Sequence, residues 1–110
     1  SALSCVDILS VLYCSILNVD PNNPKWTDRD RFILSKGHAA TALYAALAFK
    51  GFINRDELQH YGKKDSLLEE HPSPKQKGVE AATGSLGHGL PIANGIALST
   101  KILQKSFRCF

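Results

Sequence analysis

Arg31-Phe32-Ile33-Leu34-Ser35-Lys36-Gly37-His38-Ala39 is the stretch on which the fold turns. Arg31 to Ser35 is a short apolar run with β-favouring side chains, the composition of a buried strand. The run ends at Lys36-Gly37-His38. From Ala39 to Lys50 the chain is rich in alanine and leucine, with Leu43, Tyr44 and Leu47 on one helical face and Gly51 placed to stop the helix. The segment reads as strand, tight turn and helix.

On the N-terminal side, Val6, Leu9, Leu12, Tyr13, Ile16 and Leu17 recur at steps of three and four, which predicts one face of a first helix starting near Leu3. Ser4 and Asp7 have capping-box spacing, and Asn18 with Asp20-Pro21 supplies the stop. Asn18 to Asp30, with its prolines and paired asparagines, reads as a surface loop anchored by Trp26. On the C-terminal side, Asn54 and Glu57 open a short helix that reaches Tyr61, with Leu58 and Tyr61 facing inward. Between Gly62 and Thr83 no period is sustained; this is a long loop, and such loops inside compact domains are usually functional. Gly84 to Gly89 is a glycine-rich turn. Leu90 to Leu103 returns to helical spacing through Ala93, Ile96, Ala97 and Leu103, and Phe107 to Phe110 begins a strand. An apolar half-strand left at a sheet edge makes a truncated domain the expectation.

The 110 residues, 44% of them hydrophobic, suit one domain. A net charge of +3 from 13 basic and 10 acidic residues is mild, and its lysines are dispersed in pairs such as Lys63-Lys64. A nucleic-acid surface would gather them in a stripe interleaved with aromatics, so that function class is set aside. No apolar run approaches the roughly 20 residues that span a bilayer, and no leader-like segment opens the chain, so no membrane role is expected. The three cysteines, Cys5, Cys14 and Cys109, form no CxxC pair, which fits a reduced, cytoplasmic setting. Cys5 and Cys14 fall in the first helix and read as small core residues.

Two turns have the makeup of an anion site. Lys36-Gly37-His38 joins a strand to a helix, which sets free N–H groups and the positive end of the helix dipole beside a cation and an imidazole. In Gly84-Ser85-Leu86-Gly87-His88-Gly89 three glycines let the main chain approach a ligand, just ahead of another helix. The spacing is G-x-x-G-x-G, which is neither the dinucleotide fingerprint nor a P-loop, and a glycine cluster before a helix is more often plain turn chemistry than a cofactor cradle. His60 reads as a solvated helix residue. His38, His71 and His88 fall in turns or loops beside Gly or Pro, where acid–base or hydrogen-bonding work is open to each. Their spacing does not match a zinc site.

Ser35-Lys36-Gly37-His38-Ala39 with Leu43-Tyr44, then His71-Pro72, then Thr83-Gly84-Ser85-Leu86-Gly87-His88-Gly89-Leu90, resembles the N-terminal region of transketolases in order and spacing. Leu3-Ser4-Cys5-Val6-Asp7-Ile8-Leu9 with Leu12-Tyr13 resembles that family's opening helix, so the likeness extends over the whole chain. It implies a thiamine-diphosphate-binding α/β fold, a parallel sheet flanked by helices, of which residues 1–110 are the N-terminal part. It implies that His38 contacts the cofactor, that Gly84, Ser85 and Leu86 lie against it, and that His71 contacts the sugar substrate; His38 and His71 are the catalytic candidates. His88 stands where the family often has glutamine and is a further candidate for cofactor binding. Glu70 stands where a glycine commonly precedes the histidine, which adds a negative charge near the substrate pocket.

The activity implied is transfer of a two-carbon ketol unit between sugar phosphates, with thiamine diphosphate and Mg²⁺ as cofactors and a homodimer as the intact form. The family's metal-binding motif would follow Phe107, so no magnesium ligand is named within the chain. The remaining part of the enzyme, or a second subunit, would supply the pyrimidine site, and the chain alone is expected to be inactive. Two other readings stand beside this one: a noncatalytic binding module, and another thiamine-dependent transferase such as deoxyxylulose phosphate synthase or a phosphoketolase.

Overall fold

The computed structural model describes residues 1–110. The first helix is built of three kinds of turn. Helix α1 (Val6–Val11) is preceded by a 3-10 turn, Ala2–Cys5, and followed by a π turn, Leu12–Ile16, which Leu17 N–H closes on Leu12 C=O at 2.7 Å. The wider last turn keeps residues four apart in line, so Leu9, Tyr13 and Leu17 are buried while Val6 and Ile16 of the expected stripe remain 38% exposed. The expected capping box does not form. Ser4 Oγ instead donates to Ser1 C=O at 2.7 Å and accepts from Lys36 Nζ at 2.9 Å. Cys5 packs against the core, but Cys14 is exposed, which corrects its reading as a core residue.

Helix α2 (Ala40–Lys50) is entered through a 3-10 turn, Gly37–Ala39, and lies at the centre of the molecule. Ala40, Ala42, Leu43, Tyr44, Leu47 and Ala48 are all buried, as befits a helix that is apolar around most of its circumference. Gly51 ends it at φ +108°, a conformation that a side chain would strain. A 3-10 helix, Arg55–His60, follows; Asn54 Oδ1 accepts from Asp56 N–H at 3.1 Å and caps it. Leu58 packs against the core, and the partly exposed Tyr61 ring lies 6.1 Å from that of Tyr44.

The segments expected as strands do pair, in parallel. Arg31 N–H donates to Arg108 C=O at 2.8 Å, Phe110 N–H to Arg31 C=O at 2.9 Å and Ile33 N–H to Phe110 C=O at 2.9 Å. These bonds make one isolated bridge, Arg31 to Cys109, and no strand is established. This corrects the expectation of two strands: β-favouring side chains supply the burial, but a ladder needs partner main chain along its whole length. Asp30 secures the bridge. Its carboxylate accepts from Arg108 N–H at 2.8 Å, Asn18 N–H at 3.0 Å and Arg108 Nη2 at 3.1 Å. Burial works to raise its pKa, yet these donors outweigh burial and hold it below the usual carboxylate value.

Residues 62–83 form no helix or strand, as the sequence leads one to expect. The loop is fastened by Leu68 and Val79 in the core and by Glu80, which takes a two-pronged bond from Arg29 Nε and Nη2 at 2.8 and 2.7 Å. Helix α3 (Gly89–Leu103) turns a narrow stripe of Gly89, Ala93, Ile96 and Ser99 towards the rest, and only Gly89 is buried. Leu103 is 62% exposed, so it is not the inward residue its spacing suggests.

Candidate functional site

Three chain segments meet where the two glycine turns touch. A Cβ atom on Gly37 would stand 2.6 Å from Gly84 N and 2.7 Å from Thr83 C, so the main chain of one turn rests directly on the other. A Cβ on Gly89 would stand 2.5 Å from Ser35 Cα, which closes the same junction from the far side. Both glycines are required for close approach, not for an unusual φ. The third segment is His71-Pro72. A Cβ on Gly84 would meet His71 Cδ2 at 2.9 Å, which places the imidazole against the face of the second turn.

Above this junction opens a pocket of about 500 Å³ lined by His71, Thr83, Gly84, Ser85, His88 and Ile92. Four of the candidate residues, His71, Gly84, Ser85 and His88, therefore share one cavity. His38 is exposed at the mouth of α2 and is not among the residues lining it; Leu86 is 73% exposed and also stands outside. No group of three or more His, Cys, Asp or Glu side chains is arranged to hold a metal ion.

The junction is rich in donors with nothing to donate to. No acceptor in the chain takes up the N–H groups of Gly37, His38, Gly84, Ser85 or Leu86. Thr83 Oγ1 is buried without a partner. Groups of this kind, beside the N-terminus of a four-turn helix, suit an anion with several oxygen atoms. The residues present therefore fit a diphosphate-bearing group, which would meet main-chain N–H groups and a threonine hydroxyl.

Sequence reading assigned no role to Tyr44 beyond packing. Its hydroxyl donates to Glu69 C=O at 2.7 Å, with His71 C=O at 3.4 Å as a longer second acceptor. Burial pushes the phenol up to about 12, with Tyr61 and Glu69 adding to the shift, so it is a donor throughout the neutral range. The available signal was a tyrosine on the inward face of an alanine-rich helix, since a buried phenol needs a hydrogen-bond partner.

Comparison with known proteins identifies a family. The family described as the transketolase thiamine diphosphate binding domain matches residues 1–109. The chain is 43% identical over 108 residues to an apulose-4-phosphate transketolase subunit from Phocaeicola vulgatus, covering 98% of this chain and 38% of that protein. It is 42% identical over 111 residues to human transketolase, covering the whole chain and 18% of the relative. Among solved structures, transketolase from Leishmania mexicana superposes with a TM-score of 0.84 at 34% identity, over 89% of this chain and 15% of that one. The Campylobacter jejuni enzyme gives 0.78 at 38% identity, over 89% and 16%. The chain thus spans well under half the length of these relatives.

Proposed function

The chain belongs to the transketolase family, in its thiamine-diphosphate-binding domain, and from that premise we propose that it is the N-terminal part of the domain that grips the cofactor's diphosphate. The complete enzyme transfers a two-carbon ketol unit between sugar phosphates, works in the cytoplasm and is a homodimer when intact. The parallel bridge at Arg31 and Cys109 supports reading the chain as part of a fold with a parallel sheet flanked by helices. The single observation that carries the reading is the docking of the Gly37 turn on the Gly84 turn, with unpaired N–H groups and the orphaned Thr83 hydroxyl at the contact.

Gly84 and Ser85 offer main-chain donors to the diphosphate, and Leu86 lies against the cofactor on the open side. When bound, thiamine diphosphate supplies the electron sink needed to break the carbon–carbon bond beside a ketose carbonyl. His71 hydrogen-bonds the sugar's hydroxyl groups from its place against Gly84, and His38 approaches from the mouth of α2. His88, which also lines the pocket, contacts the cofactor or its phosphate oxygens. Mg²⁺, if bound, would neutralise charge on the diphosphate, and no ligand for it is assigned among these residues.

The test is ketol transfer from a ketose phosphate to an aldose phosphate by the complete enzyme, supplied with thiamine diphosphate and Mg²⁺. Turnover is expected there and not from the 110-residue chain alone. A complete enzyme that binds the cofactor but moves no ketol unit, or turnover by the chain alone, overturns the proposal.

A further inference from the structure

We infer that Tyr44 is a positioning residue for His71: its buried hydroxyl latches the main chain beside that histidine and so sets where the imidazole stands in the pocket. The effect on rate rests on the ketol-transfer reading above; the latch itself rests on geometry alone.

The His71 side chain has few restraints of its own. Its ring makes no hydrogen bond within the chain, and the side chain is exposed to the pocket. Only two things fix it: contact with Gly84 and the course of its own main chain. That main chain runs through a segment without helix or strand, so its carbonyl groups must find partners elsewhere. On one side Glu69 C=O has Tyr44 Oη as its only donor, at 2.7 Å. On the other side Pro72 C=O accepts from Thr83 N–H at 3.4 Å. His71 is therefore held between two carbonyl anchors, one reaching the core helix α2 and the other reaching the glycine turn.

The Tyr44 anchor is much the shorter and comes from the more rigid element. Tyr44 is 1% exposed, with the Tyr61 ring beside it, and its phenol has no freedom to follow a moving loop. An imidazole misplaced by a fraction of an ångström loses hydrogen bonds to substrate that strengthen in the transition state. The contacts that join the two turns, Gly37 on Gly84 and Thr83 and Gly89 on Ser35, involve neither Tyr44 nor residues 69–71.

The experiment compares Tyr44→Phe, His71→Ala and the double variant in the complete enzyme. Phenylalanine keeps the ring in the core and removes only the hydroxyl, so melting temperature serves as the check on folding. Tyr44→Phe is expected to lower kcat/KM for the ketose phosphate about threefold to tenfold, the worth of one hydrogen bond, with the Kd for thiamine diphosphate unchanged. In the His71→Ala background the same substitution is expected to cost nothing further, because its effect passes through that ring. Equal losses in both backgrounds, or no loss in either, overturn the inference. Amide hydrogen exchange at Gly62 and Thr83, whose N–H groups donate to Leu68 C=O and Pro72 C=O on either side of the latched segment, measured without substrate, reads the latch independently of catalysis. It is expected to quicken in Tyr44→Phe, and unchanged exchange overturns the latch even if no ketol transfer is found.

Discussion

At position 37 a side chain would enter main chain, not the yielding end of another side chain: Gly84 N at 2.6 Å and Thr83 O at 2.8 Å. Main chain held by its own neighbours cannot retreat cheaply, so Gly37→Ala is expected to part the two turns. The predicted result, by calorimetric titration of the complete enzyme, is thiamine diphosphate affinity lowered about tenfold or more, the scale of overpacking a tight contact. Gly89→Ala, which drives into Ser35 Cα at 2.5 Å, is expected to do the same from the other side. Unchanged affinity in both variants would show that the junction does not form the cradle. These glycines were visible in the sequence as turn residues beside helix starts, in two turns with the makeup of an anion site, whereas the contact between the turns is seen only in the fold. His38 and Leu86 were assigned by likeness to relatives, and the chain's own pocket does not include them. A residue's direction out of a turn depends on φ and ψ values that composition does not encode.

At the scale of elements, hydrogen bonds between distant parts of the chain decide what local spacing cannot. Ser4 and Asp7 have the right separation for a capping box, but Lys36 Nζ, more than thirty positions away, takes the serine oxygen. Asn54 has no such competitor and does cap its helix. Asn54→Ala is accordingly expected to cost about 1 kcal/mol, read from urea denaturation. Asp30 governs the parallel pairing in the same long-range way. Its folded pKa lies below its unfolded value of about 3.9, so the unfolded chain binds the proton more tightly. The stabilisation it gives is therefore complete above about pH 4 and is lost as pH falls through the folded value. Asp30→Asn is expected to lower stability at neutral pH and to flatten the acid limb of the stability curve below about pH 4. An acid limb identical to the parent's would show that the carboxylate does not carry the charge. The apolar run at 31–35 was legible as a buried segment, whereas its partner at 107–110 was marked only by two phenylalanines and a cysteine.

At the scale of the whole molecule, the apolar surface is unevenly distributed. Helix α1, the 62–83 loop and α2 share one core, while α3 leaves Leu90, Leu98, Ile102 and Leu103 between 57% and 75% exposed. Four large apolar side chains bared on one helix exceed what a free-standing surface usually carries. The relatives that match this chain are much longer, and cover for this helix from further polypeptide is the expected outcome. Helical periodicity in the sequence announced α3 as an element but could not tell a face turned to this core from one turned to another. Ala93 and Ile96 face inward, whereas Leu98 and Ile102 lie on the opposite side of the same spacing. Replacing Leu98 and Ile102 together by serine is expected to leave the helical circular dichroism of the isolated chain intact, because neither is packed within it. The same pair is expected to weaken assembly with the remaining polypeptide by a hundredfold or more, on the order of 3 kcal/mol for two buried aliphatic side chains, in a titration by light scattering. Assembly at the parent's affinity would place the covering elsewhere and leave α3 an outer helix of the enzyme.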